Sequence, residues 1–525
     1  MAPLLLGLLW PCAIVSAAVH KVSVHISSGD VEGVANDGVV EFLGIPFASA
    51  NRWQAPSDWQ GEYPQETGSK MGPSCPQSPG SNEVWNPSFV SEDCLNLNVW
   101  CPVAQANSRK AAVMVFLFGG GFVAGGNNPY NGSTLARNQQ ICVVVPNYRV
   151  DAFGFVAFPE RPLSGLFGIQ DQQSALRWVS KNIVHFNGDK NRVLLSGQSA
   201  GAGSVMFHLV SPMSAGLFSS AIMESGGFFS QGREQGLAYT EALQKQLNCT
   251  TTQCMENRTM LEVLTASSKM QNQNQKSSFP MPVIDGHVLP ADPVMLLRTG
   301  RINRVSAIAA GCNSNESTLF TGSLPHMSNT MFRQFVKMFI PENAPNGTFQ
   351  RLMSMYRPAP TDNGRLYDQM VTDFSCTAPM RFILASVANA HGTPAFNYRF
   401  NYNATFETPC DLSNAPTYGI PHGAELSLVF GQPAYPTNPT HKCEFNSADS
   451  AMASRVGQLW AAFAANETAP GSTFSKLWTM YRNTSQLELL LDTHSVTEHY
   501  RVDFSDVWQS ILYPPEVVSS VGKSS

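Results

Sequence analysis

Two hydrophobic rhythms alternate along this chain. Lys21 to Ile26 reads Lys-Val-Ser-Val-His-Ile, a period of two that fits an edge strand with one face in water. Val39 to Leu43, and Leu95-Asn-Leu-Asn-Val-Trp100 farther on, read as strands as well. Ala112 to Phe118, Ile141 to Val145 and Val193 to Leu195 are instead unbroken apolar runs, as in strands covered on both faces. Between them, Leu176, Val179 and Ile183 recur at helical spacing on one face of Asp171 to Ile183. Ala221-Ile-Met223, Ala307 to Ala310 and Ala395 to Phe400 add further core strands. Residues 232 to 350 are less regular and predict a helical excursion over the sheet that shapes a substrate gorge. The alternation runs from Val39 to about Phe463 without a Pro/Ser-rich linker, which predicts one α/β domain over residues 19–525.

Composition narrows the setting. Of 525 residues, 33 are Lys or Arg and 38 are Asp or Glu, a net charge of −5. With no basic stripe, a nucleic-acid partner is not expected. Met1 to Trp10 forms an apolar stretch that ends in Val15-Ser-Ala-Ala18, the pattern of a signal peptide over residues 1–18. The other long apolar stretch, Ala111 to Gly126, is 16 residues long and rich in glycine, whereas a membrane span needs about 20 apolar residues. No stable membrane insertion is therefore expected. Eleven cysteines and seven sequons, at Asn131, Asn248, Asn257, Asn346, Asn403, Asn466 and Asn483, fit a secreted protein or one held in the lumen of the secretory pathway. Cys142, inside an apolar run, reads as an inert core thiol.

The chemistry centres on Gly197-Gln-Ser-Ala-Gly201, placed between the strand Val193 to Leu195 and a small-residue stretch able to start a helix. A G-x-S-x-G in that context is a nucleophile elbow: the turn is too tight for a Cβ on either flank, and it leaves Ser199 Oγ exposed. Such a serine needs a base, an acid and an oxyanion hole. Gly119-Gly-Gly121 empties out of the strand ending at Phe118 and can leave backbone N–H groups free for a developing oxyanion. No phosphate-binding glycine spacing occurs there. The loop after Ala310 carries one carboxylate, Glu316, and the loop after Phe400 leads to His422. His326, His391, His441, His494 and His499 lack that strand-then-loop placement, so position favours His422 without settling it.

At Phe42-Leu-Gly-Ile-Pro-Phe-Ala48, Ser91-Glu-Asp-Cys-Leu-Asn-Leu-Asn-Val-Trp100 and Phe118-Gly-Gly-Gly-Phe122 the chain resembles the type-B carboxylesterase/lipase family. That family also includes the cholinesterases and the catalytically dead neuroligin ectodomains. Asn147-Tyr-Arg-Val150, Gly168-Ile-Gln-Asp-Gln172, Pro282-Val-Ile-Asp-Gly286, Asn313 to Glu316 and His422-Gly-Ala-Glu425 extend the resemblance over nearly all of the mature chain. It implies an α/β-hydrolase fold, with a large mixed, mostly parallel sheet flanked by helices, and small-molecule ester substrates without cofactor or metal. It further implies a triad of Ser199, Glu316 and His422, and an oxyanion hole from the N–H groups of Gly120, Gly121 and Ala200. Trp85, Phe122, Val123, Gln198, Phe228, Leu319 and Phe320 would line the substrate pocket, with Ser225 and Glu425 supporting the histidine. Composition alone reads Ser225 equally well as an ordinary turn serine.

By the same resemblance Arg52 pairs with Glu92, Arg149 with Asp171, Cys75 with Cys94 and Cys249 with Cys254. Cys376, Cys410 and Cys443 stay unassigned, with Cys410–Cys443 bracketing the His422 loop as the favoured pair. Asn315 completes a further sequon through Glu316, and burial of that carboxylate predicts that it carries no glycan. Gln198 stands where cholinesterases have a glutamate, Val123 where they have a gorge tyrosine, and Leu319 replaces an aromatic. Trp85-Asn-Pro, by contrast, matches their cation-binding tryptophan motif. A lipase would need a long amphipathic flap, and only 18 polar-rich residues separate Cys75 from Cys94. A general carboxylesterase is therefore the expectation, with a cholinesterase-like esterase, a lipase or a neuroligin-like adhesion ectodomain as the alternatives.

Overall fold

The computed structural model describes residues 20–514 except 64–66, 78–88, 106–107, 162, 273–278, 323–325, 405–418, 433–443 and 469–471. Trp85, Cys410, Cys443 and the leader over residues 1–18 lie outside the described residues.

A twelve-stranded sheet forms the centre. Its strands are β1 (His20–Ile26), β2 (Gly29–Asn36), β3 (Val39–Pro46), β4 (Asn96–Pro102), β5 (Ala111–Leu117), β6 (Cys142–Pro146), β7 (Gly188–Gln198), β8 (Ser220–Glu224), β9 (Ile308–Asn313), β10 (Ala395–Phe400), β11 (Glu488–Leu491) and β12 (Val496–Glu498). The spatial order is 1-2-3-4-6-5-7-8-9-10-11-12. Strands β1 to β4, and β4 with β6, pair antiparallel. From β6 through β5, β7, β8, β9 and β10 to β11 every pairing is parallel, and β12 closes the far edge antiparallel.

The apolar runs lie where their pattern placed them. All residues of β4, β5, β6, β8 and β9 are buried, as strands in the middle of a sheet covered by helices must be. The half-buried β1 alternates at the edge. Helices α1 (Phe167–Asn182), α2 (Ala200–Val210), α3 (Ala378–His391) and α4 (Ser447–Ala464) flank the sheet. Helix α4 packs on β5, β7 and β8, where Ser220 Oγ donates to Phe463 O (2.8 Å) and Trp460 Nε1 donates to Glu224 (3.0 Å). Residues 232–350 are largely short helices, as their irregular pattern suggested. Among the described residues no helix is long and apolar enough to cross a membrane.

Two expected ion pairs form. Arg52 pairs with Glu92. Arg149 pairs bidentately with Asp171, Nε to Oδ2 at 2.8 Å and Nη2 to Oδ1 at 2.7 Å. The disulfides Cys75–Cys94 and Cys249–Cys254 are present. Cys142 departs from its reading as a free thiol: it is bonded to Cys101. The β4/β6 register explains the bond, because Trp100 faces Val143 and the next two positions therefore bring Cys101 and Cys142 together. Cys376 also has a partner, Cys312, which ties β9 to the start of the segment leading into α3. Of the seven sequon asparagines, Asn466 alone is half-buried, its Oδ1 accepting from Ser306 Oγ (2.8 Å). The other six are exposed.

Candidate active site

Four neighbouring parallel strands end on the same side, and the loop after each brings one part of the site, where α/β sheets hold their ligands. Strand β5 leads into Phe118 to Gly121, β7 into Ser199, β8 into Ser225 and β9 into Glu316. His422 comes later in the chain than β10.

Ser199 caps α2 in a strained backbone conformation, φ 58° and ψ −122°. Such a residue costs about 1–3 kcal/mol and persists only where its surroundings force it. Here they do. Ser199 N–H donates to Glu224 O (2.9 Å), and Ser199 O accepts from Gly203 N–H (2.9 Å) inside α2. The chain then passes so close to β5 that a Cβ on Gly201 would sit 1.9 Å from Leu117 O. The flanking glycines thus answer to a close approach of the backbone.

The glycine run from β5 curls over this elbow. Gly120 has φ 115°, and a Cβ there would fall 2.2 Å from Ala124 O. Among the described residues, no acceptor engages the N–H groups of Gly120, Gly121 or Ala200. Beside the half-buried Ser199, three free donors make a site for a developing negative charge. Phe122 departs from its expected place in the pocket wall. It is 0 % exposed and packs on Phe155, Phe207 and Phe229, so it supports the glycine loop from within the core. Val123 and Phe228 are half-buried, Phe228 packing on Phe382 and Tyr513.

Glu316 is buried and fully engaged. Its Oε2 accepts from Ser225 Oγ and from Asn313 N–H, both at 2.8 Å, and its Oε1 accepts from His422 Nδ1. Ser225 is therefore bonded to the carboxylate. His422 N–H also donates to Glu316 O (3.2 Å). Burial disfavours the His422 cation, but the charge of Glu316, its hydrogen bond and the charge of Glu425 together hold the pKa above the ordinary histidine value. Phe320, 69 % exposed, packs against the imidazole at a tilt with ring centroids 5.0 Å apart, and Leu319 beside it is exposed. Asn315 is half-buried, with its Oδ1 taken by Ile420 N–H (3.1 Å).

A second polar layer lies behind, and sequence reasoning missed most of it. Asn313 Nδ2 donates to Pro421 O (2.7 Å) and to Glu425 Oε2 (2.5 Å). Burial, and then the charge of Glu316, push Glu425 up to about 7. Burial, and then Glu425, push Glu224 up to about 8. Glu224 accepts from Ser196 Oγ and Trp460 Nε1 on one oxygen, while its other oxygen has no partner among the described residues. The signal that could have found it was a lone acid ending the buried run Ala221-Ile-Met-Glu224. Gln198 departs from a simple wall residue: its Nε2 lies 3.1 Å from His422 Nε2. Among the described residues, no group of three or more His, Cys, Asp or Glu is placed to hold a metal.

A sequence model of the carboxylesterase family matches residues 20–508. The cholinesterase of Mus musculus is 29 % identical over 551 aligned positions, covering 95 % of this chain and 88 % of the relative. The acetylcholinesterase of Bungarus fasciatus is 28 % identical over the same shares. Neuroligin-2 of Mus musculus is 29 % identical, covering 84 % of this chain and 60 % of the relative. The chain belongs to the carboxylesterase family.

Proposed function

We propose that this member of the carboxylesterase family is a secreted serine carboxylic-ester hydrolase working through an acyl-enzyme on Ser199. The observation that carries the reading is the buried Glu316–His422 hydrogen bond set beside a strained, half-buried serine and three free N–H donors. With Nδ1–H donated to the carboxylate, His422 Nε2 is the acceptor a general base needs. His422 takes the Ser199 proton as Oγ attacks the ester carbonyl, and the N–H groups of Gly120, Gly121 and Ala200 receive the oxyanion. Glu316 stabilises the imidazolium, which returns its proton to the departing alcohol. A water then repeats the sequence on the acyl group, releasing the carboxylic acid and restoring Ser199.

The neutral Gln198 favours uncharged esters over cationic ones. The likeness to neuroligin-2 supports a second reading, an adhesion ectodomain without turnover. Hydrolysis of p-nitrophenyl esters from acetate to palmitate, together with butyrylthiocholine, separates the readings. The ester-hydrolase reading expects turnover of short neutral esters that is lost in Ser199→Ala. Equal rates for the two proteins would overturn it. Because only neutral imidazole is a base and Glu316 holds its pKa high, kcat/KM should fall as pH drops through a midpoint above about 6.5.

A further inference from the structure

One polar contact has no part in that mechanism. Gln198 is 4 % exposed, and its amide nitrogen meets His422 Nε2 at 3.1 Å. The ring's tautomer fixes the sense of the bond. Nδ1 faces a carboxylate that is also accepting from Ser225 and Asn313, so Nδ1 carries the proton and Nε2 presents its lone pair. Only the NH2 end of the amide can face a lone pair. The other end, Oε1, is lodged against the glycine loop, 2.8 Å from where a Cβ on Gly119 would stand. Meanwhile no hydrogen bond of Ser199 Oγ is present among the described residues.

An imidazole Nε2 has one in-plane lone pair, so the Gln198 amide and the Ser199 hydroxyl compete for it. We propose that Gln198 is a positioning residue that occupies the lone pair of His422 in the resting protein and must withdraw before Ser199 can be activated. The proposal rests on the ester-hydrolase reading. Its consequence has a definite sign. A donor on the lone pair favours neutral imidazole, and once Nε2 is protonated the NH2 and the ring N–H oppose each other. Gln198 therefore holds down the affinity of His422 for a proton. The charged groups on the other sides, Glu316 at Nδ1 and Glu425 behind Asn313, act in the opposite direction. Phe320, tilted against the ring, brings no charge.

The test compares Gln198→Met, which keeps the bulk and removes the donor, with Gln198→Glu, which keeps the shape and replaces the donor by an acceptor. In a Ser199→Ala background, the His422 ring nitrogens are titrated by NMR, a readout that needs no turnover. The midpoint should rise by about 0.4–1 pH unit in Gln198→Met, the worth of one neutral hydrogen bond, and further in Gln198→Glu. In the Ser199 protein, Gln198→Met should be phosphonylated by a small fluorophosphonate about 2- to 10-fold faster on the alkaline plateau, where the base is already neutral. Equal midpoints for the Gln198 protein and its Gln198→Met variant, when both unfold at the same temperature, would overturn the proposal. A Ser199 that resists the fluorophosphonate while the midpoints shift as stated would instead overturn the ester-hydrolase reading and leave the contact standing.

Discussion

Glu316→Gln is an informative perturbation, because it keeps the shape of the side chain and changes one hydrogen-bonding group. The carboxylate accepts at both oxygens: His422 Nδ1–H at Oε1, and Ser225 Oγ–H with Asn313 N–H at Oε2. An amide can satisfy only one of these sides. With its oxygen kept at the Oε1 position, its NH2 opposes the Asn313 N–H, a buried backbone donor that cannot turn away. Leaving that group unpaired costs about 1–3 kcal/mol. With the oxygen turned to Asn313 and Ser225, the NH2 faces His422 Nδ1, which must then accept and moves the ring proton to Nε2. That proton opposes the Gln198 amide, but a side chain can turn aside where the Asn313 backbone cannot, so the second arrangement is the lower in energy, and in it His422 has no lone pair for Ser199. The expected loss in kcat is about 10⁴-fold, or about 5.5 kcal/mol of barrier. The assay is p-nitrophenyl acetate hydrolysis, with thermal unfolding as the control for folding. A Glu316→Gln protein that folds normally and keeps more than about a tenth of the wild-type rate would refute this account of the carboxylate.

The scaffold makes further predictions. Arg149→Met would leave the Asp171 carboxylate, 0 % exposed, without its bidentate partner and should destabilise the fold by about 3–5 kcal/mol. Adding Asp171→Leu should recover part of that loss in denaturant titrations, and a double variant weaker still would contradict the assignment. Glu224, at about 8, holds a proton in the fold that the unfolded chain releases above about 4.5. Stability should therefore fall as pH rises from about 4.5 to 8, by on the order of several kcal/mol. Glu224→Gln should flatten that slope and be the more stable protein at pH 8, which unfolding curves between pH 5 and 9 would check.

Much of this molecule is legible in its sequence, for reasons that differ by feature. The unbroken runs Ala112 to Phe118 and Ile141 to Val145 mark the sheet centre because only strands covered on both faces can dispense with polar positions. The elbow is legible because Gly197 and Gly201 are demanded by backbone contact with β5 and each other. Glu316 and His422, 106 positions apart, emerge from position and family resemblance together, since nothing local links them. What could not be read depends on lateral register or on a side chain's rotamer. Cys142 looks like core until β4 lies beside β6 with Cys101 in register. Phe122 follows the glycines in sequence yet turns into the core against Phe155 and Phe207. The Gln198 amide reaches His422 only because the strained elbow points consecutive residues in the way it does.

The central claim is that Ser199 is a nucleophile activated by His422 and Glu316. Its most direct test is to incubate the protein with a fluorophosphonate near pH 8, digest it, and locate the adduct by mass spectrometry. The expected result is one phosphonyl group per chain, carried by the peptide containing Ser199, and none in His422→Ala over the same time. An adduct on another serine, or no adduct on a folded protein that also leaves p-nitrophenyl acetate intact, would contradict it.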